Sequence, residues 1–401
     1  MSPPSAIKVL HITPRISRLG GGVTEAIWGL VRATQTNGVA HTAVAVRDPW
    51  TQIDMQTAPT GCDVRTFEQK GPPSAFFSPL LGRYLRETLH GHDIVHVHSI
   101  RHWPGFAARR CAVAQDRPLL ISLHGMLYPE HLRRSPIRKA LTHRFIENET
   151  LRRAHCLHAT SDQELAAIRA FGCSNPVAVL PLGIQSAGSK PSDTELTALF
   201  AKYPTLVGKR ILLYLGMLDP KKGLLRLTEA WARVHRHFPQ WHLVIAGPDV
   251  GGFEAQLRAA IQSVGLEAGI TLLGPIYGRD KRALLHVSDM LILPSDWENF
   301  GIVIGEALAA GLPVIATRRS PWQVVERHQC GWWIDTSIDA IVNSLEQALV
   351  LSKHELEARG ERGTDLIRHN YNWESIGRRM ATVYEWLSGR GPRADCVDIA
   401  A

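Results

Sequence analysis

The stretch DMLILPSDWENFGIVIGEALAAGLPVIAT, residues 289–317, decides how the rest of this chain is read. Residues 290–294 and 313–317 are short apolar runs bounded by turn signals, the pattern of buried strands. Between them 302–310 is apolar almost all round, and Gly311 followed by Pro313 supplies a helix stop. The unit reads as strand, polar loop, short buried helix, strand. Glu306 interrupts the apolar run in mid-helix, where a carboxylate needs a hydrogen-bonding partner or costs on the order of several kcal/mol. Glu298 lies in the loop ahead. At the helix mouth, beside Gly301, free amide groups and the positive end of the helix dipole favour an anion, most commonly phosphate. The simplest ligand is a sugar nucleotide: diphosphate on the helix N-terminus, ribose hydroxyls on Glu306, sugar on Glu298. The plainer alternative is an incidental acid at the mouth and a snorkelling Glu306. A helix without a polar face argues against it.

The chain has 401 residues, which suggests two or three domains. Apolar residues make up 45% and charged residues 20%, so a globular rather than a disordered chain is expected. No apolar run approaches the roughly 20 residues of a membrane span. The opening MSPPSAIKVLHIT lacks a basic region followed by an apolar stretch, so no signal peptide is expected. Cysteines 62, 111, 156, 173, 330 and 396 show no C-x-x-C spacing. That argues against a disulfide framework or a cysteine zinc site and fits a cytoplasmic protein. The net charge of +8 favours anionic partners without choosing among nucleotide-sugars, anionic lipid and nucleic acid.

Along the chain, 7–12 reads as a buried strand, followed by Gly20-Gly21-Gly22 and an amphipathic helix bearing Val23, Ile27, Leu30 and Val31. Strands follow at 41–46, 93–98, 119–123, 155–160 and 177–180, with residues 48–75 irregular between them. Helices are expected at 78–90, 136–153 and 162–171, the last with Ser161 as its cap. This is a parallel doubly wound sheet over residues 1–183. The polar stretch 184–209 reads as a linker. A second alternating series over 210–372 has strands at 211–215, 242–246, 270–273, 290–294 and 314–317. A helix follows at 373–388, and 389–401 reads as a disordered tail. The fold class is therefore α/β, two Rossmann-like halves with their polar clusters at the carboxyl ends of the strands.

Glu298, seven residues and Glu306, inside ENFGIVIGEALAAGLPVIAT, resemble the E-x7-E signature of retaining glycosyltransferases of GT-B fold, in particular family GT4. The resemblance extends over nearly the whole chain. It implies two Rossmann-like domains facing a central cleft, with the 373–388 helix crossing back to the first. It implies transfer of a sugar from a nucleoside-diphosphate donor to a hydroxyl of a glycan or lipid-linked acceptor. Neither a metal ion nor a cofactor is expected; no Asp-x-Asp tripeptide of the metal-dependent GT-A type occurs.

The resemblance also distributes roles. His124 would face the transferred sugar. Lys222 matches the lysine of a G-R-x4-K-G pattern that meets the donor diphosphate, while the arginine of that pattern is replaced by Met217, with Lys221 and Arg279 as candidate substitutes. Glu298 and the amides of Asn299, Phe300 and Gly301 would orient the sugar, Ile302 and Val303 would hold the diphosphate, and Glu306 the ribose. Gly21 and Gly22 would approach phosphate, and the loop around Ile276 would take the edge of a base. The catalytic set is thus His124, Lys222 and Glu298.

Other signals stand apart from this set. His96 and His98, two apart on a strand, share a side, but a metal site needs a third ligand that the sequence does not place. Seven basic residues (133, 134, 138, 139, 144, 152, 153) share 133–153 with Leu141, Phe145, Ile146 and Leu151. Peripheral contact with an anionic membrane and an ordinary solvated helix face both fit that stretch. Nucleic acid is not expected, because no interleaved aromatics accompany the charge. Two other functions share the fold: a nucleotide-sugar epimerase and a non-catalytic nucleotide-sugar-binding protein.

Overall fold

The computed structural model of the chain describes residues 6–129 and 147–400. The chain divides into two compact units, one running to Gly183 and resuming at Trp373, the other spanning Ile184–Asn372.

The first unit is built on a sheet of β1 (Ile7–Thr13), β2 (Val39–Val46), β3 (Asp63–Phe67), β4 (Ile94–His98), β5 (Leu119–Ser122), β6 (Cys156–Ala159) and β7 (Val177–Val179), with an edge strand Val397–Asp398. In space β3, β2, β1, β4, β5, β6 and β7 follow one another, all parallel, and Val397–Asp398 closes the β7 edge antiparallel. The order reverses direction between β1 and β4, which opens a crevice at the carboxyl ends of those strands.

The second unit repeats this order with β8 (Arg210–Leu215), β9 (Trp241–Ala246), β10 (Ile270–Gly274), β11 (Met290–Leu293), β12 (Val314–Thr317) and β13 (Gly331–Ile334). Its sheet runs β10, β9, β8, β11, β12, β13, with the reversal between β8 and β11. Both sheets are covered on two faces by helices, so their central strands are nearly continuous apolar runs and buried, while edge strands such as β3, β10 and β13 are only partly so.

Three stretches differ from the sequence reading. Residues 184–209 are not a bare linker: Asp193–Lys202 is a helix with a complete capping box, Ser192 and Glu195 bonding each other's backbone. Arg282 and Asp280 on a neighbouring helix hold it through Glu195 and Lys202, at 2.6 and 2.8 Å. The tail is ordered, because Val397–Asp398 completes the sheet and Arg390 pairs with Asp93 at 2.9 Å. β3 lies inside the stretch read as irregular, an edge strand with only partial burial.

The Trp373–Leu387 helix lies against the Gly22–Gln35 helix and belongs to the first unit. Close approach is enforced by glycine. A Cβ on Gly29 would lie 2.0 Å from the Trp373 ring, and one on Gly183 2.3 Å from it. Of the basic stretch 133–153, residues 133–146 lie outside the described residues; Arg153 pairs with Glu149 at 2.8 Å.

Candidate functional site

In the second unit, the candidate residues lie where the strand order reverses. After β8 the chain makes a short turn, Pro220–Lys222, capped by the Asp219 side chain, which accepts from the Lys221 amide at 3.0 Å. Gly223 then adopts φ 72°, where any Cβ would sit 2.2 Å from the Pro294 carbonyl oxygen. Only glycine lets this turn rest on the end of β11. The turn is laced to the loop after β11 by the Asp296 amide, which donates to the Lys221 carbonyl at 2.8 Å, and by the ion pair of Arg226 with Asp296.

This lacing brings Lys222 against Glu298. The two form an ion pair with side chains only 11% and 12% exposed. Ser295 Oγ donates to Glu298 Oε1 at 2.8 Å, and the Glu298 amide donates to the Arg319 carbonyl at 2.9 Å. Beyond Glu298, Phe300 is buried, its carbonyl accepts the Trp322 indole N–H, and its ring lies 5.4 Å from that of Trp322. Gly301, at φ 73°, starts the Ile302–Ala309 helix with no side chain capping it. The first amides of the helix, Ile302 and Val303, have no intrahelical acceptors and face the position an anion would take. Beside them the Asn299 Oδ1 is buried with no hydrogen bond among the described residues. An orphaned buried acceptor of this kind calls for a donor such as a hydroxyl.

Glu306 differs from expectation. It is not an unpaired buried acid: its side chain is 26% exposed and pairs with Lys281 at 2.6 Å. The lysine comes from the first turns of the Gly278–Val287 helix. The partner that a mid-helix carboxylate requires is thus a cation from the same unit. Ile276 is buried, between Gly274 at φ 71° and Gly278 at φ 55°, so its loop presents backbone.

Met217 stands at the surface, 42% exposed, and its carbonyl accepts from the Tyr214 hydroxyl at 2.8 Å. Of the two suggested substitutes, Lys221 lies 3.7 Å from Asp219 and Arg279 is exposed. A second cation on the loop, which sequence reasoning passed over, is Arg226, paired with Asp296. It sits one turn beyond Gly223 and also bonds the Pro294 carbonyl at 3.3 Å.

In the first unit, Gly21 and Gly22 are exposed at the N-terminus of the Gly22–Gln35 helix, which no side chain caps. Gly20 packs inward instead, where a Cβ would meet Thr24 Oγ1 at 2.2 Å. His124 follows β5 with φ 49°, in the left-handed region, where a non-glycine residue is strained. The imidazole is half-buried.

The sequence missed the surroundings of His124. His41 on β2, His11 on β1, His96 and His98 on β4 and His158 on β6 lie on one face of the sheet in register, all buried. Burial pushes His124 down to about 3 and His41 and His158 to about 4, and holds His11, His96 and His98 well below the usual imidazole range. All six are neutral at pH 7. The third imidazole that the His96/His98 pair lacked is His11, with nitrogens of the three within 4.8 Å of one another. Both nitrogens of His11 and of His96 are already hydrogen-bonded, to His98, His41, Tyr384 and Ser122, so a cation there would have to break that network. The legible signal was a histidine in line within each apolar strand, as in KVLHIT, IVHVH and CLHA.

Comparison with known proteins agrees with this geometry. A glycosyl transferase 4-like domain matches residues 21–183, and the family of glycosyl transferases group 1 matches residues 197–364. A GDP-mannose:cellobiosyl-diphosphopolyprenol alpha-mannosyltransferase of Xanthomonas oryzae pv. oryzae is 22% identical over 94% of this chain and 96% of its own. The phosphatidyl-myo-inositol mannosyltransferase of Mycobacterium leprae is 32% identical over 48% of this chain and 50% of its own. Among solved structures, Anabaena Alr3699/HepE in complex with UDP and glucose superposes with a TM-score of 0.77, at 19% identity, over 96% of this chain and 100% of that one. These relatives favour neither the epimerase nor the non-catalytic alternative. With E-x7-E placed at the mouth of the Ile302–Ala309 helix in the second of two Rossmann-like units, the chain belongs to the GT4 glycosyltransferases of GT-B fold.

Proposed function

We propose that this glycosyltransferase takes a hexose from a nucleoside-diphosphate donor and passes it, with retention at the anomeric carbon and without a metal ion, to a hydroxyl of a glycan or lipid-linked acceptor. One observation carries the reading: an uncapped helix mouth at Gly301, flanked by the Lys222–Glu298 pair and by the orphaned Asn299 Oδ1. Dipole, free amides and lysine suit a diphosphate, and the carboxylate and orphaned acceptor suit sugar hydroxyls. We assign Ile302, Val303 and Lys222 to the diphosphate, with Gly21 and Gly22 as further phosphate contacts. Glu298, Asn299, Phe300 and Gly301 hold the sugar, Glu306 the ribose, the Ile276 loop the base, and His124 contacts the transferred sugar.

In the reaction the bond between C1 and the phosphate oxygen breaks, and the acceptor oxygen bonds C1 on the same face. Its proton passes to the departing phosphate. Negative charge grows on that phosphate as the bond breaks, and Lys222 with the helix amides stabilises it where it forms. Relatives named for GDP-mannose and a structural neighbour holding UDP and glucose support a nucleotide-hexose without choosing the base. Relatives acting on diphosphopolyprenol and phosphatidylinositol substrates support a lipid-linked acceptor, for which peripheral docking through basic residues 133–153 would be useful.

Thermal shift against UDP, GDP and ADP tests the donor site, since ligand binding to the native state raises its stability. No shift with any of the three at millimolar concentration would reject the site. Transfer assays in EDTA test the metal-free reading, and the anomeric configuration of the product tests retention. Sedimentation with neutral and anionic liposomes tests the docking, which salt should weaken.

A further inference from the structure

Five buried imidazoles on one sheet face, with half-buried His124 just beyond β5, are more than packing requires, and their hydrogen bonds run in series. Thr34 Oγ1, buried in the Gly22–Gln35 helix, bonds the Leu30 carbonyl at 2.7 Å, so its single proton is committed there. Thr34 Oγ1 also lies 2.9 Å from His41 Nε2 and can only accept from it. A neutral ring with Nε2–H has an acceptor at Nδ1. His41 Nδ1 lies 3.0 Å from His11 Nε2, His11 Nδ1 lies 3.0 Å from His98 Nε2, and His98 Nδ1 lies 3.3 Å from His124 Nε2. With one proton per ring, each link repeats the last.

A second series beside it is fixed by a carbonyl. His158 Nε2 donates to the Leu180 carbonyl at 2.9 Å, which makes its Nδ1 accept from Ser122 Oγ at 2.7 Å. Ser122 then accepts from His96 Nε2 at 2.8 Å, and His96 Nδ1 accepts from Tyr384 at 2.9 Å. His96 is thereby spoken for and stacks on His98 at 4.2 Å without bonding it, so the first series has no competing branch there.

We propose that Thr34, His41, His11 and His98 are positioning residues that pin His124 as its Nε2–H tautomer, leaving His124 Nδ1 as a hydrogen-bond acceptor for a sugar hydroxyl. Nδ1 carries no hydrogen bond to the described residues and is not a buried orphan, so it is open to such a donor. The proposal rests on the reading of His124 as a sugar contact. The left-handed backbone at His124 fits the same arrangement: it orients a ring whose proton the sheet has already placed.

Nitrogen-15 NMR of the histidine-labelled whole chain reads the tautomer directly and needs neither variant nor activity. The expected result is a protonated Nε2 and an unprotonated Nδ1 for His124 at pH 7. A protonated Nδ1 would overturn the proposal, because the chain would then run the other way. Thr34→Val removes the anchor at nearly constant volume; Thr34→Ser keeps it. Thr34→Val should lower kcat about tenfold, the lower end of the loss seen when the partner that orients a metal-bound histidine is removed, since three rings separate Thr34 from His124. Donor KM should stay within about twofold, because ground-state contacts remain, and Thr34→Ser should restore the rate. An unchanged kcat in a folded Thr34→Val protein would overturn the positioning role. Failure of the underlying reading looks different: His124→Ala would leave transfer unchanged although the tautomer is pinned.

Discussion

The Lys222–Glu298 pair is the element of the site whose energetics can be worked out most fully. The two side chains are 11% and 12% exposed, and among the described residues Ser295 is the one other side chain bonded to the carboxylate. Breaking a fully buried pair by removing one partner costs about 3–5 kcal/mol, because the survivor is left charged and poorly solvated. Residual exposure and the Ser295 hydroxyl reduce this to about 2–3 kcal/mol for Lys222→Met or for Glu298→Gln alone. The double variant leaves no orphaned charge and should cost about 2 kcal/mol, so the coupling is about 3 kcal/mol. Urea unfolding of the four proteins without ligand measures it, followed in the transition assigned to the second unit, since two units need not unfold together. Additive losses, within about 0.5 kcal/mol, would refute the pairing.

Glu306→Gln should weaken nucleotide binding in calorimetry by roughly the 1.5–3 kcal/mol of a charge-assisted hydrogen bond, with little change in fold, since Lys281 can still bond the amide. Unchanged affinity would remove Glu306 from the ribose. Stability should fall as pH drops below about 6.5: the unfolded imidazoles bind protons there, whereas native His41, His124 and His158 stay neutral down to about 4, 3 and 4. Each such group contributes stability that is fully present above pH 6.5 and is lost at about 1.4 kcal/mol per pH unit between 6.5 and its native value; a urea midpoint that stays flat from pH 7 to 5 would contradict the burial. Gly29→Ala should destabilise the first unit by about 1–3 kcal/mol, read as a lowered unfolding midpoint, because its Cβ meets the Trp373 ring at 2.0 Å. Met217→Arg should leave transfer unchanged or raise it, since the side chain stands at the surface, and a strong loss would mean that the site depends on methionine there.

The second unit was the more legible half. Its strands are short apolar runs that can be buried only on two faces, and the glycines at 223 and 301 stand where the backbone turns left-handed. What escaped were features set by distance in sequence. Lys281 is 25 positions from Glu306, and nothing local announces that they meet. Arg226 drew no notice, because its partner Asp296 is 70 positions away. In the first unit each strand histidine alone looks like a satisfied core residue; only the register of β2, β1, β4, β5 and β6 makes them one row. The helix at Asp193–Lys202 was readable, since Ser192 and Glu195 form a capping box, but its polar composition disguised it as a connection. The tail was misread because two residues of antiparallel pairing leave almost no periodicity.

The placement of Trp373–Leu387 and Val397–Asp398 in the first unit has a consequence for synthesis. A ribosome delivers β1 to β7 early and must then make all of Ile184–Asn372 before the pieces that finish that sheet emerge. At 5–20 residues per second this is a wait of roughly 10–40 s. Throughout it β7 has an open edge, the niche at Gly29 and Gly183 is unfilled and His96 lacks its Tyr384 hydroxyl. The later unit has all its strands in one continuous segment and can close first. The nascent chain therefore carries an unfinished, adhesive sheet ahead of a finished domain, the interval in which chaperones would be needed most.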